Sequence, residues 1–324
     1  MNFTFRPYRP GDEHQINQGF EAVFKTTRSL AEWQWKFSAS NHGAWILLAV
    51  DVQDFVVAQY AAIKRSIHFQ GQFFDAGHVV DSYCRRIPQA VRQQVFPKLV
   101  LEFYRYFGDA GEFQLLFGFP GDRHQKLGQL RMDYSQPVPL QCWRKTIPLR
   151  QKLISSLNPL NYKAVQPVTD SAAFDRLWNQ VMGRYPAATC RTMNWIQERY
   201  FSRPNHQYQL ITSVRDNQLQ AWAIVLVSSS VIQWVDLVWD GGSSTALHDL
   251  ERQVLNGTGI AQKVSFELWL TGDAQLGEAL SRLGWYQAPH PLGLHVTARW
   301  FGVQADPNDF TRQCYLTMGD TDLV

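Results

Sequence analysis

The stretch Phe73-Phe74-Asp75-Ala76-Gly77-His78-Val79-Val80-Asp81-Ser82-Tyr83 decides the fold class. It follows the turn Gly71-Gln72 and is rich in β-forming residues, so it reads as a strand. From Gln89 to Phe107 the apolar residues Val91, Val95, Leu99, Phe103 and Tyr106 then recur at helical spacing. Pro97 inside that run predicts a kink or a late helix start. Phe113 to Phe119 is a second apolar strand, residues 122 to 133 read as a short helix, and Val138 to Ile147 as a closing strand. Strand, helix and strand in succession is an α/β pattern.

Upstream, Phe3 to Arg6 alternates like a strand, and Pro10-Gly11-Asp12 forms a turn that offers Asp12 as a helix N-cap. Ile16, Phe20, Val23, Phe24, Leu30, Trp33, Trp35 and Phe37 carry helical spacing with a break near Thr26-Thr27. Ala44 to Val50 and Phe55 to Ile63 read as buried strands, with Ser66 to Phe69 extending the second.

The same order then starts again. Residues 148 to 163, around Asn158-Pro159-Leu160-Asn161, suit a linker, and Lys163 to Val168 reads as a new first strand. Helical sequence runs from Ala172 to Phe201. Strands follow at Tyr208 to Val214, Leu219 to Val227 and Val231 to Trp239, then a helix from Ser244 to Leu255. Lys263 to Leu270 is a strand, Ala274 to Leu283 a helix, and His295 to Phe301 a closing strand. Landmarks repeat with the elements. Trp33 matches Trp195, Ile46 to Val50 matches Gln209 to Ser213, and Val80-Asp81 matches Val235-Asp236. An internal repeat of whole domains is the inference, with domains at 1–150 and 151–324.

Bulk properties narrow the function. The 324 residues are 45% hydrophobic, enough for two cores, and the 12 Trp read mainly as core filling. A net charge of +3 without any Lys/Arg-rich run argues against nucleic acid. The longest apolar stretch, Ala44 to Val50, is far short of the roughly 20 residues a membrane helix needs. Cys84, Cys142, Cys190 and Cys314 are scattered without a CxxC pair, which suits reduced thiols and a cytoplasmic location. His206, His248, His290 and His295 lack metal-ligand spacing, so no metal is expected.

The segments Phe5-Arg6-Pro7-Tyr8-Arg9-Pro10-Gly11-Asp12, Leu30-Ala31-Glu32-Trp33-Gln34-Trp35-Lys36-Phe37, Val79-Val80-Asp81 and Phe117-Gly118-Phe119-Pro120, in that order, resemble the GNAT superfamily of N-acyltransferases, and most closely its bacterial tandem members. Arg282-Leu283-Gly284-Trp285 and the tail from Leu316 to Val324 extend the resemblance over nearly the whole chain. It implies an α/β (α+β) fold of two tandem GNAT-like domains, each a mixed, mostly antiparallel twisted sheet flanked by helices. It also implies acyl transfer from acetyl-CoA or another acyl-CoA to a small-molecule or peptide amine, and a homodimer is compatible with it. In such a fold a splayed strand pair holds pantetheine, and a loop at a helix N-terminus holds the pyrophosphate.

Carried onto this sequence, the cofactor residues are Val80, Cys84, Arg92, Gln93, Gln94, Val95 and Gly118, and the catalytic candidates are Asp81 as base with Tyr83 and His124. Two departures stand out. The phosphate loop Val91-Arg92-Gln93-Gln94-Val95 has no glycine, and Lys126 occupies the usual tyrosine position, leaving Tyr83, Tyr104 or Tyr134 as substitutes. Asp240-Gly241-Gly242-Ser243-Ser244-Thr245 in the second half reads either as a phosphate cradle or as an ordinary strand-to-helix turn. Asp320 and Asp322 either dock back across the cleft between the halves or lie in a solvated tail. A catalytically degenerate, partner-binding protein is the alternative function.

Overall fold

The computed structural model describes residues 2–37, 43–148, 170–228, 230–257, 264–302 and 306–323. The expected linker from 149 onward and the strand Lys163 to Val168 lie outside the described residues. In chain order the elements are β1 (Thr4–Pro7), α1 (Glu13–Phe24), α2 (Leu30–Phe37), β2 (Ala44–Val50), β3 (Val56–Phe69), β4 (Gln72–Cys84), α3 (Pro88–Arg92), α4 (Val95–Phe103), β5 (Leu115–Gly118), α5 (Asp122–Arg131), β6 (Val138–Pro139) and β7 (Gln141–Ile147). They continue with α6 (Ser171–Val181), β8 (Ala187–Thr189), α7 (Met193–Ile196), β9 (Gln209–Arg215), β10 (Gln218–Val227), β11 (Val231–Trp239), α8 (Thr245–Gly257), β12 (Val264–Leu270), α9 (Ala274–Arg282), β13 (Tyr286–Ala288), β14 (His295–Trp300), α10 (Pro307–Gln313) and β15 (Cys314–Tyr315).

The chain forms two compact units that are not contiguous in sequence. The first holds residues 1–67, 72–138 and 294–312, and the second holds 68–71, 139–293 and 313–324. In the first, the strand order is β1-β2-β3-β4-β5-β14-β6. Strand β2 shows why both faces are covered. Ile46, Leu48 and Val50 pack with Ile16, Trp33 and Phe37 of α1 and α2, while Leu47 and Ala49 pack with Val95, Leu99 and Phe103 of α4. Apolar residues in every position of a strand mean a sheet buried on both sides.

The second unit repeats the plan as a six-stranded sheet, β13-β7-β12-β11-β10-β9, in which only β11 and β12 run parallel. Its helices are capped as their sequences ask. The Asp170, Thr192 and Asp273 side chains accept from backbone N–H groups of α6, α7 and α9 at 3.0, 3.3 and 3.0 Å.

Several expectations are revised. Val138 to Ile147 is not one strand closing the first half. It divides at Leu140, and β7 pairs with β12 and β13 of the second sheet. The strand beside β5 in the first sheet is instead β14, from late in the sequence. Strand patterns specify a face, not a partner, so the exchange is invisible to periodicity. The helix read from Gln89 to Phe107 starts at Pro88, stops at Arg92 and restarts at Val95, and Pro97 sits in the first turn of the restarted helix. Ala172 to Phe201 is broken by Pro186 and the short β8. Asp12 precedes α1, but its carboxylate takes Arg6 at 2.7 and 2.9 Å and the Arg9 N–H at 2.7 Å instead of capping the helix.

Candidate functional site

In the first unit β4 and β5 run parallel for two rungs, Gly77 with Leu116 and His78 with Phe117. Beyond His78, β4 continues through Val79-Val80-Asp81-Ser82-Tyr83-Cys84, whereas β5 ends at Gly118. A Cβ at Gly118 would lie 3.2 Å from that of Val79, so the residue at which the strands part is one that a side chain would crowd. Val80 is buried and Cys84 half-buried, both on this extension of β4. Burial raises the Cys84 thiol pKa, which leaves it protonated rather than a nucleophile.

Asp81 marks a break in the strand. Its φ of +46° is left-handed, a conformation that aspartate tolerates better than most residues. The extra step ends strict alternation. Val80 packs with Ile16 and Trp33, and Asp81 next to it reaches the same helical layer. His78 therefore lies on that side too, stacked on Phe117, and not opposite Asp81 as alternation alone would have it. The Asp81 carboxylate pairs with Arg28 through Oδ2 and with Lys36 Nζ at 2.7 Å through Oδ1, while its carbonyl accepts from Gln59 at 3.0 Å. Each oxygen already accepts from a cation, which suits holding the β4 irregularity in place more than drawing a proton from an amine. Tyr83 is turned inward as well. Its hydroxyl donates to the Ile16 carbonyl at 3.2 Å, its ring covers Gly19 of α1, and burial raises its pKa.

Arg92, Gln93 and Gln94 are exposed at the junction of α3 and α4. Gln94 is left-handed, with φ +53°, and precedes α4 directly. A helix start leaves N–H groups open. Here Val95 and Phe96 carry them, Pro97 has none, and Lys98 N already donates to the Gln94 carbonyl at 3.2 Å. From Ser82 to Leu101 the sequence holds Arg85, Arg86, Arg92 and Lys98 and no acidic residue. Arg85 is committed, donating to Val56 O and Gln15 O at 3.0 and 3.2 Å, whereas Arg86, Arg92 and Lys98 are exposed. The junction thus offers an anion two N–H groups, a helix N-terminus and a positive surround.

His124, in the first turn of α5, meets this junction. Its ring stands edge-on to Phe96 at 5.6 Å and stacks on Tyr134 at 5.9 Å, and its Nε2 is 3.0 Å from the Tyr134 hydroxyl. The Tyr134 hydroxyl is in turn 3.5 Å from that of Tyr60 on β3. Gly128 makes room for this arrangement, since a Cβ there would fall 2.1 Å from the Tyr134 ring. Burial lowers the His124 pKa and raises those of Tyr134 and Tyr60 well above 10. Near neutral pH the cluster is therefore one neutral imidazole bonded to a neutral phenol. Of the three tyrosines that the sequence leaves open, the structure brings Tyr134, not Tyr83, to His124. Tyr60 and Arg28 carried no motif, and Lys36 lies in the quoted Leu30–Phe37 segment without a role assigned to it. Arg28 and Asp81 are 53 positions apart, and only the repeat hints at them. In the second unit Arg191 pairs with Asp236, displaced from Arg28 and Asp81 by offsets close to those of the matched tryptophans.

The glycine turn of the second unit is occupied. Gly242 N donates to Asp240 at 2.8 Å, Thr245 N donates to Ser243 at 3.2 Å, and a Cβ on Gly241 would meet the Arg184 guanidinium at 2.4 Å. It is an ordinary strand-to-helix turn. Asp320 is buried and ion-paired with Arg191 inside this same unit, so the solvated tail is ruled out for it. Among the described residues no group of three His, Cys, Asp or Glu side chains could hold a metal ion, and no helix is long and apolar enough to cross a membrane.

Residues 4–123, from β1 to the first turn of α5, match the family described as acetyltransferase (GNAT) domain. No curated protein matches the chain. Among solved structures, a GCN5-related N-acetyltransferase from Kribbella flavida is similar with a TM-score of 0.62 and 14% identity, over 92% of this chain and 71% of that one. A GCN5-related N-acetyltransferase from Anabaena variabilis ATCC 29413 gives 0.60 and 13%, over 98% and 82%. Saccharomyces cerevisiae N-myristoyltransferase with bound myristoyl-CoA gives 0.56 and 10%, over 99% and 89%. At these identities the likeness is one of fold, that of two mixed sheets flanked by helices. Residues 4–123 are thus similar in sequence to a GNAT acetyltransferase domain, and the chain is like these acyltransferases in fold.

Proposed function

We propose that the chain is an acyl-CoA-dependent N-acyltransferase that uses acetyl-CoA, or another acyl-CoA, and a primary amine on a small molecule or peptide. The observation that carries this reading is the parting of β4 from β5 beyond His78 and Phe117, followed in sequence by the basic, carboxylate-free junction before α4. Backbone groups from Val80 to Cys84 would pair with the pantetheine amides beside Gly118. Arg92, Gln93, Gln94 and the Val95 N–H would take the pyrophosphate. The likeness to a structure holding myristoyl-CoA supports an acyl-CoA as the ligand class.

The chemistry needs two proton movements. The amine nitrogen attacks the thioester carbonyl and loses a proton, the C–S bond breaks, and the thiolate gains one. His124 is neutral, and with Nε2 donating to Tyr134 its Nδ1 is the remaining acceptor for the amine proton. Tyr134 holds that tautomer in place. Asp81 fixes the course of β4 through Arg28 and Lys36.

Calorimetric titration with acetyl-CoA and with CoA tests the reading. Micromolar binding, about −8 kcal/mol, that a Gln93→Glu, Gln94→Glu double variant loses is the expected result. The absence of binding by either ligand would overturn it. That outcome would favour a non-catalytic, partner-binding protein, which the glycine-free junction and Pro97 also suit.

A further inference from the structure

The second unit has the same strand parting, and it is filled. Strands β11 and β12 run parallel from Val231 with Ser265 to Trp234 with Leu268, and no rung follows. Against the remainder of both strands lies the segment Cys314–Thr321. On the β12 side, Thr271 N donates to the Leu316 carbonyl at 2.9 Å, Leu316 N donates to Thr271 Oγ1 at 2.9 Å, and Thr317 bridges Leu270 in antiparallel fashion. On the β11 side, the Tyr315 hydroxyl donates to the Leu237 carbonyl at 2.7 Å and Thr317 Oγ1 donates to Asp236 at 2.9 Å. Leu316, Thr317, Met318 and Thr321 are buried, and Asp320 ion-pairs with Arg191. Arg199 clamps the segment further, donating to the carbonyls of Gly319 and Thr321 at 2.9 and 2.8 Å. Gly319 admits the close approach. A Cβ there would fall 2.0 Å from the Tyr200 hydroxyl and 3.2 Å from the Val235 carbonyl.

We infer that Cys314–Thr321 is a built-in peptide occupant of the second unit's strand cleft, and that the chain therefore takes one acyl-CoA, at the first unit. The inference about the cofactor rests on the function proposed above; the occupancy of the cleft does not. The segment lies against the ends of both strands, the counterpart of the place proposed for pantetheine in the first unit, so the two cannot bind together. An incoming cofactor would have to displace an ion-paired, fully buried segment. The strand-to-helix turn closed by Asp240 offers its phosphates a carboxylate instead of open N–H groups.

Hydrogen–deuterium exchange on the intact chain, with and without acetyl-CoA, separates the two statements. Peptides spanning 268–273 and 314–321 should exchange orders of magnitude more slowly than an unstructured chain in either condition. Acetyl-CoA should slow exchange in 79–96, leave 235–247 unchanged, and titrate to one equivalent per chain. Gly319→Ala should speed exchange of 314–321 without changing acetyl-CoA affinity. Fast exchange of 314–321 in the intact chain, protection of 235–247 by acetyl-CoA, or two equivalents per chain would overturn the inference. Slow exchange of 314–321 with no acetyl-CoA effect anywhere would sink the acyl-CoA reading and sustain the occupied cleft.

Discussion

Replacing Arg191 with methionine should produce one of the largest single-site losses of stability in this protein. The guanidinium is wholly buried. Its Nε donates to Asp236 at 2.9 Å, Nη1 to the Thr189 carbonyl at 3.0 Å, and Nη2 to Thr317 at 3.3 Å and to Asp320. Methionine keeps much of the volume but leaves two buried carboxylates without their cation. Removing one member of a buried ion pair costs about 3–5 kcal/mol. Asp236 retains Trp195, Tyr200 and the Leu237 N–H, and Asp320 retains the Thr317 N–H, which places the expectation toward the lower figure. For a unit of this size each kcal/mol lowers Tm by about 2–4 °C, so the drop should be roughly 6–20 °C, read by calorimetry with urea unfolding as a check. Arg28→Met is the internal control. Asp81 keeps Lys36 at 2.7 Å, and the loss should be nearer one charged hydrogen bond, about 1–3 kcal/mol. A loss below about 1 kcal/mol for Arg191→Met, or a larger loss for Arg28→Met, would refute the reasoning.

Three further outcomes are expected. His124→Gln should lower acyl transfer, followed as thiol release from acetyl-CoA with an amine panel, by about 10²- to 10⁴-fold, with acetyl-CoA affinity unchanged. Tyr134→Phe should lower it less and move the acidic limb of the pH profile, and full activity in both variants would exclude the pair from the chemistry. Burial depresses the folded His124 pKa below its usual 6.5, so below about pH 6.5 the unfolded chain binds this proton more readily than the folded one. That stability is whole above pH 6.5 and falls as pH drops toward the folded value. Urea midpoints at two pH values should show the fall and His124→Gln should reduce it; an unchanged midpoint difference would count against it. Residues 1–150 expressed alone lack β14, the strand that pairs with β5 through Thr297, Ala298, Arg299 and Trp300. They should aggregate or stay unfolded by circular dichroism and size exclusion, and a cooperative soluble monomer would contradict that.

The parts of this molecule that were legible in its sequence are those set by local periodicity. Ala44 to Val50 and Val231 to Trp239 reveal themselves as strands because every position must be apolar in a sheet covered on both faces. The repeat was legible through Trp33 and Trp195 and through Asp81 and Asp236, and the structure gives its physical meaning. In each unit the aspartate after a buried valine holds an arginine from the segment preceding the matched tryptophan. Partner choice was not legible. Nothing in the alternation of Gln141 to Ile147 says that it will pair with Val264 to Leu270 in preference to Leu115 to Gly118.

The two units also show how one plan acquires two electrostatic solutions. At Asp81 the second cation is Lys36, one turn along α2 from Trp33. At Asp236 that place is taken by neutral donors, Trp195 at 3.0 Å and Tyr200 at 2.8 Å, and by Thr317 from Cys314–Thr321. A neutral set around Asp236 leaves Arg191 able to hold a second carboxylate, Asp320, and so to anchor the segment that fills the cleft. Around Asp81 the carboxylate is held by two cations, Arg28 and Lys36. The aspartate after the buried valine is thus held by two cations in the first unit, and in the second by one arginine that it shares with Asp320 of Cys314–Thr321.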